Sequence, residues 1–104
     1  MASDSTDDDP AFAVTVYSIM DRYRSMAVER QTACRALSAV TLALAPENLF
    51  DDQGEERLAA FFGERLDAYR DGSEPGAARR QVVRVILAAA QADASVLAAY
   101  GLRR

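Results

Sequence analysis

Apolar residues recur every three or four positions from residue 11 to residue 45, a stretch with neither glycine nor proline. This spacing is typical of one face of an α-helix. The pattern therefore predicts a long N-terminal helix over about residues 10–45, with one charged residue on its apolar face. The positions on that face are Phe12, Val16, Ile19, Tyr23, Met26, Arg30, Ala33, Leu37, Val40 and Leu44.

A continuous helix over this stretch would be about 50 Å long, roughly twice the diameter of a compact chain of this size. Either the helix breaks near residues 29–32, or it projects and needs a partner. Since no helix-breaking residue occurs there, we expect a continuous helix that packs against a second subunit. The predicted contact residues are Phe12, Val16, Ile19, Tyr23 and Arg30.

Two further helices are predicted after Pro46, which ends the first one. They span about residues 53–71 and 75–100, and the short turn between them makes them antiparallel neighbours. The predicted fold class is therefore all-α. It is a helical bundle of one long helix and an antiparallel helical hairpin, completed by dimerisation.

Local patterns set the ends of the helix over 53–71. Asp52 and Glu55 have the spacing of a capping box, and Gly72 is placed to end the helix. In the preceding loop, Leu49 and Phe50 are expected to close the open end of the core.

The net charge of −4 is concentrated at the N-terminus. Residues 1–8 are small and acidic and predict a flexible tail, whereas residues 9–104 form a single helical domain with Asp9 as the first helix cap. Asp4, Asp7, Asp8 and Asp9 supply the whole excess, so residues 10–104 are neutral. This balance disfavours non-specific nucleic-acid binding.

All twelve basic residues are arginine, which we interpret as codon bias in a GC-rich bacterial genome. Without histidine, the chain has no Ser-His-Asp system and no imidazole metal site. Without lysine, it has no Schiff base and no P-loop. We therefore expect no enzymatic activity, no catalytic residue, no cofactor and no metal ion.

Cys34 is the only cysteine, so it has no partner for a disulfide within the chain. It is expected to be a small core residue. The N-terminus has no basic region, and its longest apolar run is too short to span a bilayer. We therefore expect a cytoplasmic protein without membrane contact.

Arg30 and Asp93 are charged residues in apolar surroundings. Both side chains can reach water from the edge of an apolar stripe. Alternatively, they form a buried Arg30–Asp93 pair that fixes the register of the helices. The third interpretation is an anion site between helices.

Arg79, Arg80 and Arg84 cluster in the first two turns of the last predicted helix, where the helix dipole disfavours cations. Asp67 and Asp71, at the end of the preceding helix, and Glu74 after it are expected to neutralise them. Contact with phosphate or nucleic acid is the alternative.

The predicted helix lengths are similar to those of the all-helical chorismate mutases. The resemblance implies an intertwined dimer that binds a dicarboxylate through arginines, here Arg30, Arg22 or Arg24, and Arg84. Those enzymes also use a lysine from the long helix, and this chain has none.

Three classes of function remain open at this point. The leading hypothesis is a non-enzymatic helical interaction or adaptor module, a homodimer that docks a protein partner. The second is a transcription-associated or nucleic-acid-linked regulator that uses Arg79, Arg80 and Arg84. The third is a small-ligand-binding bundle or a chorismate-mutase-like enzyme.

Overall fold

A computed structural model describes residues 10–102 of the chain. This part of the chain contains five helices and no strand, which confirms the all-α class. The predicted tail over residues 1–8 and the predicted cap Asp9 lie outside the described residues. The helices are α1 (Ala13–Arg24), α2 (Arg30–Leu44), α3 (Asp52–Asp71), α4 (Pro75–Ala90) and α5 (Ala94–Ala99).

The pair formed by α3 and α4 is the most extensive helix contact, and α1 and α2 each pack against both of them. Burying one large apolar side chain stabilises a fold by about 1.5–3 kcal/mol, so the four-helix core accounts for the compact shape. The largest fully enclosed side chains, to which α5 adds Leu97, are Phe62, Met20, Leu37, Leu58, Leu66, Ile86, Leu97 and Leu102.

The predicted long helix is wrong, because the chain turns between α1 and α2. Met26 adopts a positive φ of 67°. The amide of Ala27 donates a hydrogen bond to the carbonyl of Arg22 at 2.8 Å. The amide of Met26 donates one to the carbonyl of Tyr23 at 3.0 Å. These two bonds form a Schellman motif, which satisfies the last carbonyls of α1 without glycine.

The physical reason for the break is burial. A straight helix of about 50 Å exceeds the longest dimension of the fold, 37 Å. With the turn, Val16 and Tyr23 of α1 join Ala33 and Leu37 of α2 in one core. Covering both halves of the apolar face within the chain outweighs the strain of a non-glycine residue at positive φ.

The predicted helix over 75–100 is also divided. Ala92 adopts a φ of 53°, and a second Schellman motif ends α4 there. Asp93 then caps α5, its carboxylate accepting a hydrogen bond from the amide of Val96 at 3.2 Å.

The loop before α3 follows the prediction closely. Phe50 is buried and Leu49 is half-buried against the core. The cap, however, is Asp51 and not Asp52: the Asp51 carboxylate accepts a hydrogen bond from the amide of Gly54 at 2.7 Å. The predicted capping box does not form, because the third residue after the cap is Gly54, which has no side chain to bond back to the amide of Asp51.

Candidate functional site

An apolar concavity lies between α2 and the first half of α3, and we call it the α2–α3 groove. Its volume is about 580 Å³, which lies within the usual range for binding pockets. It is lined by Gln31, Cys34, Arg35, Ser38, Ala39, Leu42, Asp52, Glu55, Glu56, Leu58 and Ala59.

Small side chains keep the α2–α3 groove open. Ala39 and Ala59 stand where longer side chains would close the gap between the two helices. Leu42 is 39% exposed at one end, and Leu58 is fully buried beneath it. The apolar surface that the groove leaves uncovered therefore comes from Ala39 and Leu42, since Leu58 is enclosed.

The rim of the groove carries an uneven charge. Arg35 lies on the α2 side, whereas Asp52, Glu55 and Glu56 lie on the α3 side, and all four residues are exposed. Asp52 and Glu55 also stabilise the N-terminus of α3 through its dipole. The rim has a net charge of −2, which favours a basic partner.

Two polar groups lie along the α2 wall of the groove. Ser38 Oγ is enclosed and has no hydrogen-bond partner among residues 10–102, an unusual state for a buried hydroxyl. Cys34 is buried, as predicted for a core residue. Because burial raises the pKa of the Cys34 thiol, this cysteine is a weak nucleophile at neutral pH.

A second constellation joins the C-terminal turns of α1 and α3. Tyr23 on α1 donates a hydrogen bond to Asp67 on α3, at 2.8 Å between Oη and Oδ1. In the opposite direction, Tyr69 on α3 donates to Asp21 on α1. Each helix thus supplies one donor and one acceptor to the same contact.

Arginines complete this reciprocal contact. Arg70 stacks on the ring of Tyr23, with Cζ at 4.6 Å from the ring centre. Arg24 stacks on the ring of Tyr69, with Cζ at 5.2 Å from the ring centre. The segments 21–24 and 67–70 share the pattern Asp-x-Tyr-Arg, and we call their contact the Asp-Tyr-Arg clasp. This pattern was not predicted from the sequence, because two four-residue segments do not stand out as a repeat.

Arg30 belongs to the edge of the clasp. Its Nε donates to both carboxylate oxygens of Asp67, at 3.1 and 3.2 Å, and its guanidinium lies over Gly63. The two charged side chains are 53% and 44% exposed. An ion pair this exposed contributes about 0–1 kcal/mol.

The hydrogen bonds of the clasp shift the pKa values of its aspartate and tyrosine side chains. Burial alone would raise the pKa of Asp67, but the hydrogen bonds from Arg30 and Tyr23 outweigh burial and lower it. Burial and the hydrogen bond to Asp67 raise the pKa of Tyr23. Burial and the hydrogen bond to Asp21 raise the pKa of Tyr69. Both hydroxyls therefore remain protonated donors well above neutral pH.

The buried Arg30–Asp93 pair does not form. Arg30 is exposed and bonds to Asp67, while Asp93 caps α5. An aspartate directly before a short helical pattern is a cap signal, so Asp93 could have been assigned from the sequence. The partner of Arg30 depends on the turn before α2, which the sequence did not predict.

The three arginines at the start of α4 do not act as a unit. Arg79 stacks on Tyr17 of α1, with Cζ at 4.5 Å from the ring centre, whereas Arg80 and Arg84 are exposed. The expected neutralisation is absent, because no carboxylate of residues 10–102 forms an ion pair with any of them.

The surface predicted for a second subunit is largely occupied by the chain's own helices. Val16 and Tyr23 are buried, and Phe12 and Ile19 pack against the core. The break between α1 and α2 thus engages these four side chains within the chain, while Arg30 stays exposed, and dimerisation through this face remains a prediction. The likeness in helix length to chorismate mutases also disappears, since α1 has 12 residues and α2 has 15.

Within residues 10–102, no three His, Cys, Asp or Glu side chains lie close enough together to hold a metal ion. None of the described helices has the length and apolar character needed to cross a membrane. No family model, curated protein sequence or solved structure matches the chain.

Proposed function

We propose that the protein is a non-enzymatic helical interaction module that binds an amphipathic helix of another polypeptide in the α2–α3 groove. The observation that supports the proposal is the exposed apolar lining of the groove on α2, formed by Ala39 and Leu42. Docking of an apolar helix face into such a groove is a recurrent mode of recognition.

The charge of the rim defines the complementary helix. Asp52, Glu55 and Glu56 favour arginine or lysine along the edge of the partner, and like charges would be rejected. The apolar face of that helix covers Ala39 and Leu42. A groove of this size suits a small, transient interface with micromolar affinity.

Two synthetic peptides test this proposal. Both are amphipathic helices of the same apolar pattern, one with arginine and the other with glutamate along its flanks. Isothermal titration calorimetry is expected to show binding of the basic peptide with a Kd below about 100 µM and no measurable binding of the acidic peptide.

Amide chemical-shift changes locate the binding site in the same titration. They are expected along α2 and the first half of α3, and the variant Leu42→Arg is expected to abolish them. Val14→Arg is the matched control, because Val14 is 76% exposed on α1 and lies outside the groove. Equal binding of both peptides, or binding unaffected by Leu42→Arg, contradicts the proposal.

A further inference from the structure

The outer face of α4 carries a stripe of two arginines and one leucine, Arg80, Arg84 and Leu87. These positions are spaced by four and three residues and therefore share one side of the helix. All three side chains are exposed, and Leu87 is one of the large apolar residues that the fold leaves uncovered.

No ion pair within residues 10–102 accounts for the two arginines of this stripe. Two acidic residues of the preceding helix are engaged elsewhere: Asp67 bonds to Arg30, and Asp71 bonds to Arg70. Arg80 and Arg84 form no ion pair with any carboxylate of residues 10–102.

The stripe has the chemistry that the α2–α3 groove requires. Two arginines supply a charge of +2, which matches the net −2 of the groove rim. Leu87 supplies an apolar side chain beside them, suited to the exposed Leu42 and Ala39 of the groove. One chain thus presents both halves of a complementary contact.

We propose that the occupant of the α2–α3 groove is α4 of a second copy of this chain, which docks through Arg80, Arg84 and Leu87. This inference rests on the proposed function, because it names the partner of the same groove. In the proposed contact each copy gives its stripe to one neighbour and its groove to another, which makes the contact heterologous and the association head to tail.

Self-association of the full chain is the first test. Sedimentation velocity from about 10 µM to about 500 µM protein is expected to show a sedimentation coefficient that rises with concentration. Raising the salt from about 50 mM to about 300 mM weakens the association several-fold, because the charged rim is exposed to solvent.

Charge reversal locates the contact on α4. Arg84→Glu is expected to weaken self-association by at least about tenfold. Arg22→Glu changes the net charge by the same amount at an exposed position of α1, outside both surfaces, and is expected to have little effect. Circular dichroism melting verifies that both variants remain folded.

Mixing two defective variants tests the head-to-tail geometry. The double variant Arg80→Glu/Arg84→Glu has an intact groove, and Leu42→Arg has an intact stripe. Each alone is expected to be monomeric, and an equimolar mixture is expected to form a one-to-one complex. Two variants of a two-fold interface built on a single surface would not complement each other in this way.

A wild-type chain that stays monomeric at about 500 µM in low salt overturns the inference, as does a mixture that forms no complex. Binding of an oligonucleotide that is lost in Arg80→Glu/Arg84→Glu, without self-association, also overturns it in favour of a nucleic-acid contact. The proposed function fails separately, through the peptide titration: it fails when the basic peptide does not bind, when both peptides bind equally, or when Leu42→Arg leaves binding unchanged.

Discussion

Asp67 is the residue on which the contacts between α1, α2 and α3 converge. Its carboxylate accepts hydrogen bonds from Tyr23 on α1 and from Arg30 on α2. These bonds lower the pKa of Asp67 against the opposing effect of burial. A carboxylate with a lowered pKa stabilises the folded state above its unfolded pKa, and this stability is lost as the pH falls through the folded pKa.

The variant Asp67→Asn is therefore expected to be less stable than wild type at pH 7 by about 0.5–1 kcal/mol, since the ion pair is exposed. The difference shrinks as the pH falls below about 4, the pKa of an unfolded aspartate, because the wild-type carboxylate also becomes protonated. Urea unfolding over a range of pH measures both values.

Asp71→Asn provides the control for that experiment. Asp71 pairs with its neighbour Arg70 on the same helix and is mostly exposed. It joins no two helices, so the variant is expected to follow the wild-type pH profile. A constant difference between Asp67→Asn and wild type from pH 7 to pH 2 would contradict the assignment.

Gly63 permits the close approach of Arg30 to α3. An alanine methyl at this position would lie 2.5 Å from Arg30 Nη2 and 2.9 Å from Cζ, so the guanidinium must move. Gly63→Ala gains about 1 kcal/mol of helix propensity and weakens an ion pair of similar or smaller value.

The net effect of Gly63→Ala on unfolding is expected to be within about 0.5 kcal/mol, while the pKa of Asp67 rises. Carboxyl carbon NMR titration of Asp67 measures the second effect independently of stability. An unchanged pKa in the variant would show that Arg30 does not depend on the space above Gly63.

At the scale of helices, the ends of α1 and α4 are held by strained residues. Met26 and Ala92 adopt positive φ values of 67° and 53° at the position where Schellman motifs usually carry glycine. A non-glycine residue there costs about 1 kcal/mol or more, partly offset by the greater entropy that glycine has in the unfolded chain.

Met26→Gly and Ala92→Gly are therefore each expected to stabilise the fold by about 0.5–1 kcal/mol. Asn48 also has a φ of 67°, but asparagine tolerates this conformation, so Asn48→Gly is expected to gain less. Thermal unfolding ranks the three variants. Loss of stability in Met26→Gly would show that its exposed side chain contributes to the fold.

These same residues explain which helices the sequence predicted. The bounds of α3 were predicted within one residue, because Asp51–Asp52 and Gly72 are local signals for its start and end. The turn at Met26 carries no such signal and exists because burial of α1 and α2 against a shared core outweighs local strain. Asp93, in contrast, was a usable signal that was assigned to another role.

At the scale of the molecule, folding and binding are assigned to different side chains. Phe62 is fully enclosed at the centre of α3, whereas Leu42 is 39% exposed in the α2–α3 groove. The apolar pattern predicted the buried face of α3. It did not predict the groove, because openness depends on how far apart two helices pack, and that distance is set by small residues such as Ala39 and Ala59.

Paired truncations test this separation. Phe62→Ala removes a ring from a closed core and is expected to cost about 3–5 kcal/mol, a large part of the 5–15 kcal/mol that stabilises a typical domain. Leu42→Ala is expected to cost less than about 1 kcal/mol, because its side chain is already in contact with water. Urea unfolding of both variants measures these values, and peptide titration measures the effect of Leu42→Ala on the groove. If Leu42→Ala unfolds the chain as readily as Phe62→Ala, then Leu42 belongs to the core. The groove would then not be a binding surface, because Leu42, its one exposed large apolar side chain, would be needed to hold α2 against α3.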